Sequence, residues 1–169
     1  MKNKISILLI IFLSTIHLFA AQAIEIEADS IKYMNKEKNI FAKGNVKVLF
    51  ENMVLKANKA VYNSKVKKFQ LTGQIKLTNG KIKMTCDEIT ASKIDKTIIG
   101  DGNINFDYEG NINITCGNVI YQLEDQKIFF NNNVVVTQLK NKMKTDKIVL
   151  DLKKEELQTI GKTKVKIKE

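Results

Sequence analysis

Residues Ile26 to Val48 read IEADSIKYMNKEKNIFAKGNVKV, and this stretch decides the fold because the chain repeats it. It opens on an apolar residue, with a small residue two places on and an Asp next to that. An aromatic, a polar turn and a Gly followed by alternating apolar residues complete it. Aligning the Gly position along the chain gives Gly44, Gly73, Gly102, Asn132 and Gly161, at steps of 29, 29, 30 and 29 residues. The opening position keeps that step as Ile26, Leu55, Met84, Ile114 and Met143. So do Asp29, Asn58, Asp87, Gly117 and Asp146, and likewise Tyr33, Tyr62, Ala91, Tyr121 and Leu150. A period of this length marks a repeat architecture, in which each unit buries its apolar face only by stacking on neighbours.

Inside each unit the rhythm is period 2, as in Val46, Val48 and Phe50, or Phe69, Leu71, Ile75 and Leu77. Lys, Asn and Thr fill most of the intervening places, the pattern of half-buried strands. Short polar connections punctuate both ends of every strand. Asn79-Gly80 is the strongest of them, and it predicts a type I′ hairpin with both residues at positive φ. Tight turns at both ends predict an antiparallel meander of two strands per repeat, about ten in all; the competing arrangement is a parallel β-helix. Ile24, Ile26 and Ala28 share one parity, whereas Ile31 and Tyr33 share the other. Keeping both sets inside requires a bulge or corner near Asp29. The second strand of the repeat has Gly at its middle, where a sharp bend is tolerated. Strands bent at matching heights fold the meander into two layers around an apolar trough, about 10 Å apart.

The chain is 169 residues long, one domain by length. Lys2 and Lys4 precede an apolar run from Ile5 to Ala21, and Ala21-Gln22-Ala23 is a small-x-small cleavage signature. Residues 1–23 therefore read as a signal peptide and 24–169 as the exported domain. The alternative is an uncleaved membrane anchor. The single His is His17 and every basic residue is Lys, so the exported part has neither imidazole nor guanidinium. That argues against the common acid–base, triad and zinc chemistries, and the chain is not expected to be an enzyme or to hold a metal or cofactor. The column Asp29, Asp87 and Asp146 reads as backbone corners rather than calcium ligands, because Asn58 and Gly117 share it. Glu124-Asp125 and Glu155-Glu156 fall in turns facing water. The formal charge of +10 suits either a soluble surface or an anionic partner such as a phosphorylated lipid. Nucleic acid is not expected, since Arg and a recognition helix are both missing.

Two motifs carry a resemblance. One is I-x-A-D-S-x-x-Y at Ile26, Ala28, Asp29, Ser30 and Tyr33, followed by A-x-G-N-V-x-V at Ala42, Gly44, Asn45, Val46 and Val48. Its second copy has Leu55, Ala57, Ala60 and Tyr62, then Leu71, Gly73, Ile75 and Leu77. With the export signal before them, these residues resemble the OstA-like family, nearest its periplasmic LptA group. The resemblance implies an all-β, open antiparallel β-jellyroll whose groove carries the lipid A acyl chains of lipopolysaccharide from inner to outer membrane. It also implies end-to-end association, with copies of the chain and with the relatives LptC and LptD. Two alternatives stay open: a membrane-anchored LptC-like component, and an exported β-solenoid enzyme acting on polysaccharide. Asn132 in the Gly column and Gly117 in the Asp column depart from the family pattern.

The trough lining expected from this reading is Ile40, Val46, Val48, Phe69, Leu71, Ile75, Leu77, Ile98, Ile104, Phe106, Phe130, Val134 and Val136. A carboxylate at Phe106 or Leu71 is expected to abolish lipid binding while the sheet persists. The partner edges are expected at Ile24, Ile26, Ala28, Ile31 and Tyr33, and at Thr163, Val165 and Ile167. Glu25, Glu27 and Asp29 on the first edge and lysines on the last suit head-to-tail joining. Cys86 and Cys116 share a column in successive repeats. A whole strand between them would set them about 10 Å apart, too far for a disulfide.

Overall fold

Side chains that alternate apolar and polar form a two-faced ribbon, and tight polar turns bring each ribbon back beside the last. The computed structural model describes residues 24–167, so the expected signal segment, residues 1–23, lies outside the described residues. Twelve strands follow in order: β1 (Glu25–Glu27), β2 (Ser30–Met34), β3 (Asn39–Phe50), β4 (Met53–Asn63), β5 (Lys68–Asn79) and β6 (Ile82–Ser92). They continue with β7 (Thr97–Tyr108), β8 (Ile112–Gln122), β9 (Lys127–Gln138), β10 (Asn141–Asp151), β11 (Glu156–Ile160) and β12 (Lys164–Lys166). All pair antiparallel with their sequence neighbours from β3 to β10. At one end β1 and β2 both lie on β3, and at the other β11 and β12 both lie on β10. Each terminal pair is thus one strand broken at its middle, and the meander has the ten rows expected from the repeat. The sheet does not close on itself, so it is an open β-jellyroll.

Every row bends at the same height. The pairing slips between Lys43 and Val46, Thr72 and Ile75, and Asp101 and Ile104, and at matching places on the remaining strands. At these slips two successive residues take positive φ, as in Gly73 (80°) and Gln74 (48°), or Gly102 (72°) and Asn103 (42°). A side chain at Gly73 would also press on Asn58, whose Nδ2 would lie 2.9 Å from the added Cβ. The corner therefore has room for one side chain, contributed by the Asp/Asn column, and the Gly column must leave that space empty. The fourth repeat exchanges the two. Asn132 takes the bend at φ 67°, and Gly117 faces it, where a Cβ would meet that of Asn132 at 3.0 Å. The bend survives because Asn is among the few non-Gly residues that tolerate this backbone.

The corner divides the sheet into an upper arm, holding β2, β11 and the neighbouring half-strands, and a lower arm, holding β1, β12 and the rest. The tips of the upper arm are stitched from repeat to repeat. Backbone N–H groups of Ser64, Lys93, Leu123 and Leu152 donate to the carbonyls of Lys38, Lys67, Lys96 and Gln126 at 2.9, 3.0, 2.9 and 2.9 Å. One turn differs from the sequence reading. The hairpin near Asn79 has Gly80-Lys81 as its two-residue loop, since Asn79 pairs with Ile82, and of these residues Gly80 alone takes positive φ. Both-positive geometry occurs instead at Glu51-Asn52, between the paired Phe50 and Met53. The strand registers on either side set the loop, and they override the Asn-Gly preference.

Candidate functional site

Cross-strand columns carry the apolar face through the sheet without interruption. In the upper arm one column runs Tyr33, Ile40, Tyr62, Phe69, Ala91 and Ile98, and continues to Tyr121, Ile128, Leu150 and Leu157. In the lower arm another runs Ile26, Val48, Leu55, Leu77, Met84 and Phe106, and continues to Ile114, Val136, Met143 and Val165. Corner folding turns these columns toward one another. Phe106 of the lower arm meets Phe130 of the upper arm edge to face at 4.9 Å, and Phe50 meets Phe69 at 5.8 Å. Tyr62 stacks on Phe69 at 4.4 Å.

The structure places the thirteen expected lining residues on this inner face. Val46, Val48, Phe69, Leu71, Ile75, Leu77, Ile98, Ile104, Phe106, Phe130, Val134 and Val136 are buried, and Ile40 is half-buried. The twelve buried ones pack in one cluster that spans both arms. The space left among Leu77, Phe106, Ile98 and Val119 is only about 10 Å3, room for no more than about one water and far too little for an acyl chain. In this state the middle of the trough is filled by the protein's own side chains.

Cys86 and Cys116 lie in the same interior, buried and free, with β7 between their strands. Burial pushes the Cys86 thiol up to about 12 and the Cys116 thiol up to about 11. The acidic column works at the corners: Asn45 donates to Asp29 at 3.0 Å, Asn103 to Asp87 at 2.7 Å, and the Lys162 backbone N–H to Asp146 at 3.2 Å. Among the described residues no three His, Cys, Asp or Glu side chains are grouped to hold a metal ion.

The interior reaches the surface along the open side of the fold, between the two rows of turns. A cleft of about 540 Å3 lies there, lined by Glu51, Asn52, Met53, Lys81 and Tyr108 from the lower tips and Tyr121, Leu123, Gln126 and Leu152 from the upper tips. Two ion pairs cross it. Lys96 on the upper row reaches Glu51 on the lower at 2.9 Å, and Lys81 on the lower row reaches Glu155 on the upper at 3.3 Å. Lys81 also holds Glu109 at 2.7 Å, and these two carboxylates, Glu109 first, keep its ammonium above the usual lysine range. Sequence reasoning did not find this mouth. Its partners are 45 and 74 residues apart, and no local pattern relates them.

At the two ends the expected edge residues are less covered. Ile24, Ile26 and Ala28 are half-buried, whereas Ile31, Tyr33, Thr163, Val165 and Ile167 are exposed. The inner columns therefore run out into solvent at both ends of the sheet.

This chain matches a family model over residues 25–156, described as the LptA/(LptD N-terminal domain) LPS transport protein. The chain belongs to this family. It is a family of lipopolysaccharide-transport proteins and not of enzymes, which meets the resemblance read from the two motifs. Among solved structures the chain is similar to LptH, the LptA homologous periplasmic component of the lipopolysaccharide transport device of Pseudomonas aeruginosa. The identity is 15%, over 88% of this chain and 96% of that one, with a TM-score of 0.36. A likeness of that size adds nothing to the fold described above. No curated protein sequence matches.

Proposed function

We propose that this protein is an exported, LptA-like carrier and bridge, which holds the acyl chains of lipopolysaccharide along its inner face. In this reading it works in the periplasm and passes lipopolysaccharide from the inner toward the outer membrane. The observation that carries the reading is the apolar face that runs out uncovered at both ends of an unclosed sheet. Tyr33 is 55% exposed at one end and Val165 is 55% exposed at the other, each in a column that is buried at its centre. A second copy, or a relative such as LptC or LptD, would cover these residues by pairing with the free strand edge and would continue the same face. Such head-to-tail contact does not close, so it yields a linear bridge. Acyl chains suit the face because each buried methylene contributes roughly 0.8 kcal/mol.

The test has two readouts. A photoreactive side chain at Leu71 is expected to capture lipopolysaccharide in cells that export the protein. Deleting residues 163–169 is expected to stop the concentration-dependent growth in mass that light scattering finds for the full chain. A full chain that stays monomeric at high concentration removes the bridge; a Leu71 probe that captures no lipid removes the carrier.

A further inference from the structure

The interior is full, so a ligand needs the arms to part, and the structure shows where they are tied. Besides the core, the cleft between the turn rows is crossed by Lys96–Glu51 and Lys81–Glu155. Its wall changes character with depth. Met53, Ile82, Leu123 and Leu152 line it with apolar side chains, while Asn79, Gln126, Glu51 and Lys81 offer hydrogen-bonding groups, with Tyr108 and Tyr121 carrying both kinds of surface. Met53, Ile82 and Tyr108 belong to the buried core, so the bottom of the cleft is the roof of the trough. Its volume lies in the range of ordinary small-molecule sites.

We infer that this cleft is a lateral doorway for an acylated saccharide, whose chains pass inward while its saccharide rests among the amide, tyrosine and charged groups of the rim. The ligand class rests on the carrier reading; the route does not. Lys96–Glu51 and Lys81–Glu155 are the latch. Both pairs are partly or largely exposed, so each is weak on its own and is screened by salt, as a closure that must open requires. The upper tips, stitched to one another by backbone hydrogen bonds, serve as a fixed rail against which the lower tips move. Side loading also leaves the two ends free for other copies to occupy.

The test ties the mouth shut in the full exported chain. Glu51→Cys and Lys96→Cys are introduced together, with Cys86 and Cys116 replaced by Ala, and the new pair is joined by a short bis-maleimide. Uptake of purified lipopolysaccharide is then followed for the linked and unlinked forms and for the wild type. The linked form is expected to load about tenfold more slowly than the unlinked form or not at all, a difference of about 1.4 kcal/mol in barrier, while the unlinked form, which lacks the Lys96–Glu51 tie, loads faster than the wild type. Equal loading by linked and unlinked forms overturns the doorway and leaves the carrier reading standing. Failure of the wild type to load at all overturns the carrier reading instead. A charge exchange keeps the result independent of the linker. Lys96→Glu alone is expected to speed loading, and adding Glu51→Lys is expected to restore the original rate; an exchange without effect removes the latch.

Discussion

Ile31 and Ile89 are the same residue in the same column of the repeat, yet Ile31 is 51% exposed and Ile89 is fully buried. Their backbones do the same thing. What differs is the neighbourhood: Ile89 has strands on both sides and the opposite arm above it, whereas Ile31 sits on the outermost strand. An apolar residue in a repeat protein is therefore buried by its place in the stack and not by its own unit. The terminal repeats hold the same inner face as the central ones without the cover, and the proposed bridge assigns its partners to the ends for this reason.

The largest expected effect breaks the centre and spares the end. Phe106→Asp places a carboxylate against Phe130 in a filled interior, and the chain is expected to lose its β-sheet circular dichroism, contrary to the survival expected for an open trough. Tyr33→Asp at the edge is expected to keep the sheet. Graded truncations measure the same contrast. Ile89→Ala is expected to cost about 2–5 kcal/mol in urea unfolding, and Ile31→Ala within about 0.5 kcal/mol. Equal costs would mean that the first edge is already covered in the free protein.

A smaller effect tests the exchange at the corners. Gly73→Asn is expected to cost about 1–3 kcal/mol, because the new side chain meets Asn58 in a space that holds one. Adding Asn58→Gly reproduces the natural arrangement of Asn132 and Gly117, and the double variant is expected within about 1 kcal/mol of the parent. If the second change gives no rescue, the fourth repeat owes its bend to something other than this trade.

The smallest effect concerns the thiols. An Ile31→Cys side chain at the edge is expected to react with iodoacetamide near pH 8, whereas Cys86 and Cys116 in the same protein do not. Burial raises the two native thiols above their ordinary 9.0, so the folded chain keeps these protons longer than the unfolded chain. Their contribution to stability is fully present below about pH 9. It is lost as pH rises toward about 11 for Cys116 and about 12 for Cys86. Unfolding free energy that rises over this window would contradict the burial.

The amino-acid sequence by itself determined the repeat, the period-2 strands, the antiparallel order and the shared height of the bends. These depend on backbone sterics and alternation, which act over a few residues and leave a mark in every copy. The kink near Asp29 was legible because Ile26 and Ile31 have opposite parity. It determined which face is inner as well, and all thirteen lining candidates lie on it. Whether that face encloses a cavity was beyond its reach. The contacts of Phe106 with Phe130 and of Phe50 with Phe69 join opposite arms, and their fit depends on the corner angle and on side-chain volumes summed across ten rows. The mouth was out of reach for the same reason. Lys96 meets Glu51, and Lys81 meets Glu155, because folding brings the two rows of turns together, and a charge in a turn carries no local sign of which distant turn it will face.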